Sequence, residues 1–171
     1  MITDQPGINT IKISKSQPLG GKIASKPLKG CIVTISDDLG NIYTIGSFRE
    51  TVDFNPGVGT FYLSSVGNYD IFIQKLDSSG NFVWAKRIGG INNDVGDTIF
   101  VDTSANLYIT GFFSETVDFD SGENTTNLTS IGSNDVFVLK LNASGDFIWA
   151  KSFGGTSIDN GQSISVDSLG N

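Results

Sequence analysis

The chain repeats itself at a constant spacing of 65 residues, without an insertion or deletion between the copies. Residues 41–105 and 106–170 carry the same amino acid at 31 of 65 positions, and Trp84 matches Trp149 in this alignment. A fixed period of this length is typical of a protein built from stacked copies of one structural unit. The sequence therefore specifies architecture far better than it specifies a biochemical activity.

The composition excludes several classes of function. The chain has no histidine and a single cysteine, Cys31, which excludes Ser-His-Asp and Cys-His catalysis, intramolecular disulfides and cysteine zinc clusters. Its net charge of −7 should repel nucleic acid and anionic lipid. No apolar run reaches the roughly 18 residues of a membrane span, so we expect no membrane insertion. We also expect no enzyme activity and, calcium apart, no cofactor.

Residues 1–30 differ from the repeat. They contain three of the four prolines and five lysines, and no apolar stretch of the kind found in a secretory signal. We interpret them as a non-repeat or degenerate leader with a short strand at 10–14. Residues 31–171 are predicted to form propeller-type repeats, with units at about 31–96 and 97–161 and a third unit opened at 162–171.

Short apolar segments separated by Gly, Asn and Asp turns predict β-strands. Each period predicts four strands in an antiparallel meander, and no segment has the periodicity of a helix. Gly40 and Gly80 come late in their turns, where short hairpin loops need left-handed backbone. Segments such as 71–76 and 136–141 are apolar on both faces, so each sheet should be covered on both sides. The predicted strands are 32–35, 41–48, 71–76, 82–88, 98–101, 107–113, 136–141, 147–153 and 162–167.

These properties predict an all-β fold of tandem four-stranded antiparallel meander blades, a partial β-propeller-like repeat array. The alternative is a β-solenoid, although solenoid coils are usually shorter and lack two wide hairpins per unit. A closed ring needs at least about four blades, and two whole units with one orphan strand cannot close. The sequence therefore predicts either a fragment of a larger protein or copies that self-associate through open blade faces.

A longer segment separates the second and third strands of each unit, at 49–68 and 114–133. We expect these segments to project from one rim of the array. Connections are free to vary over a rigid scaffold, so they are the natural place for binding. The predicted partner at these rim loops is a protein or a carbohydrate.

Four motifs occur in both copies and together resemble a known family. In the first copy they are Gly-Asn-Ile-Tyr-Thr-Ile-Gly at 40–46, Val-Asp-Phe-Asn-Pro-Gly at 52–57, Asp-Ile-Phe-Ile-Gln-Lys-Leu at 70–76 and Gly-Asn-Phe-Val-Trp-Ala-Lys at 80–86. As a set they resemble the bacterial β-propeller repeat family called SBBP, over about residues 31–171. The resemblance implies a structural or interaction module of a larger bacterial surface or secreted protein, outside the cell or at its surface.

Oxygen donors at alternate positions make the longer segments candidate calcium sites. The second copy has Asp118, Asp120 and Glu123, and the first has Asp53 and Asn55. Calcium takes about six to eight hard oxygen ligands, which such loops supply. The alternative is an Asx turn, in which the carboxylate accepts backbone N–H bonds and holds no ion. The calcium interpretation gives the second class of function, a calcium-stabilised adhesion or carbohydrate-binding module.

Two further pairs of residues have structural roles predicted from their positions. Trp84 and Trp149 lie mid-strand and should fill the space between units. Lys75 and Lys140 should lie on the same sheet face as these indoles, which predicts a cation–π contact in each copy.

Overall fold

The structure, a computed structural model, describes residues 29–167, with side chains from Ser36 onward. The predicted strand at 10–14 lies outside these residues, as does most of the leader. The described part of the chain contains no helix, and hence none that could cross a membrane. Its strands are β1 (Lys29–Ser36), β2 (Ile42–Phe48), β3 (Thr51–Asp53), β4 (Tyr62–Ser64), β5 (Asp70–Leu76), β6 (Phe82–Ile88), β7 (Val95–Val101), β8 (Leu107–Phe113), β9 (Thr116–Asp118), β10 (Asn127–Thr129), β11 (Asp135–Leu141) and β12 (Phe147–Phe153).

The strands form two equivalent four-stranded sheets, one in each copy of the repeat. Their spatial orders are β1-β2-β5-β6 and β12-β11-β8-β7, and all neighbours are antiparallel. The prediction of an all-β array of propeller-like meander blades is confirmed. The solenoid alternative is wrong, because its strands would pair between successive coils and not within one unit. The exact boundaries of the units stay a prediction.

The turns use left-handed backbone where the sequence predicts it. The φ angles are +77° at Gly40, +81° at Gly80 and +79° at Gly145. Ala105 occupies the position of Gly40 in the second copy and adopts φ +60°, which is costly for a residue with a Cβ. The fold therefore imposes this turn geometry even where the residue disfavours it.

Replacing Ala105 by glycine should stabilise the protein by about 0.5–1 kcal/mol, because it relieves the left-handed alanine at some entropic cost in the unfolded chain. Urea denaturation measures the change. The reverse substitution, Gly40→Ala, is the matched control and should destabilise by about 1 kcal/mol. An Ala105→Gly variant less stable than the parent chain would contradict this interpretation.

The longer segments fold back onto their own sheets as the two-stranded hairpins β3–β4 and β9–β10. The tip of the first hairpin, at 56–62, is exposed, so the segments project from the array only in part, as the following contacts show. Phe54 is buried and meets Phe48 edge to face, with ring centroids 5.2 Å apart. The copy, Phe119, is fully buried against Phe113 at 5.3 Å. The phenyl rings anchor the hairpins because burying them removes a large apolar area from water.

The two units stack face to face. Tyr43, Ile45, Ile71, Ile73 and Ile88 form the stacking face of the first sheet and belong to the same buried cluster as the apolar side chains of the second sheet. Strand β7 lies against β1, β2 and β5. A Cβ at Gly96 would lie 2.4 Å from Cδ1 of Ile45, so glycine permits this close approach. The two sheets cover each other's apolar faces, as predicted from strands that are apolar on both faces.

Residues 162–167 form no strand, in contrast to the sequence-based prediction. In both units the first strand of the sheet pairs only with the second strand of its own unit, and the described residues include no such partner for 162–167. Without that partner the backbone has no ladder to join. The carbonyl of Gln162 instead accepts a hydrogen bond from Oγ1 of Thr98 at 2.8 Å.

Candidate functional site

A cleft of about 550 Å³ lies between the two units. One wall is the outer strand β6, from Trp84 to Arg87, together with Phe61 and Leu63 of the first hairpin. The other wall is the turn 118–122 of the second hairpin. The cleft therefore combines aromatic surface and two cations on one side with two carboxylates on the other.

The predicted calcium ligands of the second copy form an Asx turn in this wall. Oδ1 of Asp118 accepts the N–H groups of Asp120 at 3.0 Å and Thr126 at 2.8 Å. Oδ1 of Asp120 accepts the N–H of Gly122 at 2.8 Å. Glu123 is exposed beside them. The carboxylates thus close the hairpin loop, as the alternative interpretation of the motif requires.

The first copy has the same arrangement. Oδ1 of Asp53 accepts the N–H groups of Asn55 at 3.0 Å and Phe61 at 2.9 Å, and Oδ1 of Asn55 accepts that of Gly57 at 2.8 Å. In residues 29–167 no three acidic, histidine or cysteine side chains form a group that could hold a metal ion. Lys86 and Arg87 of the first copy line the same cleft as the carboxylates of the second copy. Calcium binding stays a prediction.

The predicted cation–π contacts exist, but with a different aromatic partner. Nζ of Lys75 lies 5.1 Å from the ring centroid of Tyr43, and Nζ of Lys140 lies 4.6 Å from that of Tyr108. Lys75 pairs with Tyr43 on one side and with Trp84 on the other, so both rings were within reach.

The second unit covers the indole ring of Trp84. A Cβ at Gly145 would lie 3.1 Å from Cζ2 of Trp84, so the turn between β11 and β12 rests on the ring. The predicted space-filling role of Trp84 between units is thereby confirmed. Nζ of Lys75 also reaches the second unit, donating to the carbonyl of Ala143 at 3.3 Å.

A buried polar cluster near the ends of β5 and β6 links the two units. Nη1 of Arg87 donates to Oδ2 of Asp70 at 2.7 Å and to the carbonyl of Gly89 at 3.2 Å. Asp94, fully buried, accepts the N–H of Gly90 at 2.7 Å and that of Ser114, in the second unit, at 3.1 Å.

The pKa of one acid in this cluster is shifted. Burial raises the pKa of Asp94 to about 6, against the opposing effect of its two backbone hydrogen bonds, and the charge of Asp70 adds to the increase. The sequence identifies Asp94 as a turn residue, and the bond to Gly90 fits that role. Its contact with Ser114 could not be predicted, because the two residues meet only when the units stack.

No protein-family model matches the chain. Over 148 residues, or 85% of its length, the chain is 27% identical to an uncharacterized WD repeat-containing protein of Acanthamoeba polyphaga mimivirus. Over 155 residues, or 88% of its length, it is 24% identical to the regulatory protein FlaEY of Caulobacter vibrioides. The matched regions span 10% and 16% of these two relatives, so each relative is several times longer than this chain.

Proposed function

We propose that this chain is a non-catalytic structural and interaction module of a larger repeat protein, and that it binds protein partners through the exposed surface of its stacked units. One observation carries the proposal. Exposed aliphatic side chains recur at the same positions of both copies: Val66 and Ile131 are 59% and 71% exposed, and Val83 and Ile148 are 46% and 44% exposed. Apolar surface presented in this repeated way is typical of contact with another protein.

The comparisons support the same proposal. One relative is named as a WD repeat-containing protein, and WD repeats are a form of β-propeller blade. Both relatives are much longer, which fits a chain that represents part of an array. The resemblance of its motifs to those of the SBBP family suggests a bacterial surface or secreted parent protein, and this localisation is part of the proposal.

A double substitution tests the repeated aliphatic positions. Val66→Asp with Ile131→Asp should abolish capture of protein partners from an extract of the source cells, measured by quantitative mass spectrometry. Leu39→Asp is the matched control, because Leu39 is 80% exposed but its counterpart in the second copy is Ser104. The control should capture the same partners as the parent chain. Equal capture by all three chains would overturn the proposed role of these positions.

The cleft between the units favours a carbohydrate-binding module as the second candidate. Ligand sites combine apolar walls with a few placed polar groups, and here Phe61 lies opposite Asp118 and Asp120. On this proposal, Phe61→Ala abolishes binding to a glycan array. Thr126→Ala, at the matching position of the second copy, retains it.

A separate experiment tests whether bound calcium stabilises this carbohydrate-binding module. A bound ion predicts that a chelator lowers the Tm and that Asp120→Asn removes the response. An Asx turn without an ion predicts the same Tm with calcium and with chelator. The two results distinguish a calcium-stabilised module from one held by hydrogen bonds alone.

A further inference from the structure

The two copies differ at one charged position beside a buried carboxylate. Asp70 and its copy Asp135 are 0% and 1% exposed. Arg87 neutralises Asp70 through the 2.7 Å contact of its Nη1 with Oδ2. The second copy has Ser152 in place of Arg87, and in the described part of the chain no basic side chain pairs with Asp135.

Two close contacts are the same for both carboxylates. Oδ2 of Asp70 accepts the N–H of Val66 at 3.0 Å, and Oδ2 of Asp135 accepts that of Ile131 at 3.1 Å. Each carboxylate lies directly against a glycine. A Cβ at Gly154 would lie 2.5 Å from Cγ of Asp135, and the same holds for Gly89 and Asp70. The backbone therefore holds both carboxylates through the same contacts, and the second carboxylate lacks the guanidinium group.

Asp135 is consequently an acid with unsatisfied hydrogen-bonding capacity. Oδ1 is buried and has no hydrogen-bond partner in either acid, so the copies differ at Oδ2. Oδ2 of Asp70 accepts from both Val66 and Arg87. Oδ2 of Asp135 has only the N–H of Ile131. A buried carboxylate without a cation is costly, because the lost hydration is not replaced. Among the side chains of the chain only Arg49 and Arg87 carry a guanidinium. Arg87 is bound to Asp70, and Arg49 is exposed and lies 3.9 Å from Glu50.

We propose that the second unit binds a guanidinium group at Asp135, in the position that Arg87 occupies in the first unit. The acceptors are Oδ2 of Asp135 and the carbonyl of Gly154, which correspond to the two acceptors of Arg87. Ser152 lacks the long side chain that Arg87 has in the first copy. It is half-buried and Gly154 is exposed, so a ligand approaches the acid, itself 1% exposed, from this side. Guanidinium suits this pair of acceptors because its N–H groups form a planar fork.

The guanidinium can come from an arginine side chain of a partner protein or from a free small molecule of the arginine type. An arginine from a partner protein would specify how the chain binds that partner, and this part of the proposal rests on the proposed function. The binding chemistry itself does not, since an arginine placed within the chain can test it without any partner.

Ser152→Arg supplies the missing group from the position that Arg87 has in the first copy. The variant should raise the Tm by about 3–6 °C, because the buried acid gains a charge-assisted hydrogen bond. Ser104→Arg, in an exposed turn, is the control for added charge and should change the Tm by less than about 1 °C. Adding Asp135→Asn to Ser152→Arg should remove the gain. A Ser152→Arg variant no more stable than Ser104→Arg would overturn the proposal.

A direct titration identifies the source of the ligand. N-acetyl-arginine amide added to the isotope-labelled chain should shift the amide signals of Ile131 and Gly154 in NMR spectra, whereas the neutral analogue N-acetyl-citrulline amide should not. Asp135→Asn should weaken binding at least about tenfold, the equivalent of one charge-assisted contact. Ser152→Arg should block it, because the site is filled.

A short arginine peptide completes the comparison. Tighter binding of the peptide than of the amide assigns the ligand to a partner polypeptide, and equal affinity assigns it to a small molecule. Identical shifts in the parent chain, Asp135→Asn and Ser152→Arg would overturn the site. Because none of these measurements uses cell extract, the guanidinium site can fail while the aliphatic contact positions hold, and the reverse.

Discussion

Replacing Phe119 with alanine should lower the free energy of unfolding by about 3–5 kcal/mol. The side chain is 0% exposed, and its ring centroid lies 5.3 Å from that of Phe113 and 5.1 Å from that of Phe137. It holds the hairpin β9–β10 to the second sheet and belongs to the core that both units share. Since single domains are stable by only about 5–15 kcal/mol, the variant should be largely unfolded in moderate urea.

Urea denaturation followed by tryptophan fluorescence measures this loss. Phe153→Ala is the matched control, because Phe153 is 58% exposed and its removal should change stability by less than about 0.5 kcal/mol. Its counterpart in the first copy, Ile88, is 1% exposed under the second unit. Equal losses for Phe119→Ala and Phe153→Ala would mean that the hairpin is not anchored as described.

The second large effect is a decrease in stability as the pH rises from about 4 to about 6. The pKa of Asp94 is raised from 3.8 to about 6 in the folded chain, so between these values the folded state holds a proton that the unfolded state has lost. The stabilisation is complete below the unfolded pKa and disappears as the pH passes the folded one. A shift of this size corresponds to about 2–3 kcal/mol.

Two other groups of acids define the limits of this window. Burial also raises the pKa of Asp97, which adds to the loss in the same direction. For Asp37 and Asp102, burial alone would raise the pKa, but hydrogen bonds led by those from Asn41 and Asn106 outweigh it and lower the pKa. Their stabilisation is present above about pH 4 and is lost at more acidic pH, so stability should be greatest near pH 4.

Asp94→Asn isolates the contribution of the buried acid. The amide cannot ionise, so stability measured by urea denaturation should depend much less on pH between 4 and 6 than in the parent chain. Asp159→Asn is the matched control. Asp159 accepts the N–H of Gly155 at 2.8 Å as Asp94 accepts that of Gly90, but it is only half-buried and no second unit covers it. The stability of Asp159→Asn should depend on pH between 4 and 6 as strongly as that of the parent chain. If the stability of Asp94→Asn changed with pH as much as that of the parent chain, the pH dependence would come from other groups.

The backbone structure of the turns could be predicted because each turn contains the residues that determine its geometry. Asp37 accepts the N–H groups of Leu39 and Asn41 at 3.0 and 2.9 Å, and Gly40 supplies the left-handed residue that closes the turn. These interactions span at most four residues, so a short stretch of sequence contains all of them. The pairing of β1 with β2 and of β5 with β6 follows from turns of this kind.

The candidate site was only partly predictable, because its walls come from different copies. Asp118 and Asp120 were identified as oxygen donors, but their position opposite Lys86 and Arg87 depends on the way the second unit rests on the first. Register shows that Lys75 lies between Tyr43 and Trp84. It does not show that the lysine lies over the tyrosine ring, or that Gly145 of the second unit rests on Trp84.

The sequence by itself determined the 65-residue period, the antiparallel strands and the need for each sheet to be covered on both faces. These depend on the residue order within one copy, where turn chemistry and apolar alternation act over a few residues. Only the tertiary structure decided which residues the stacking brings together. It buried Asp94 between the units, placed the hairpins flat on their sheets and enclosed Asp135 without a cation. The pKa of a carboxylate depends on burial and on its nearest charges, and these are set by parts of the chain distant in sequence.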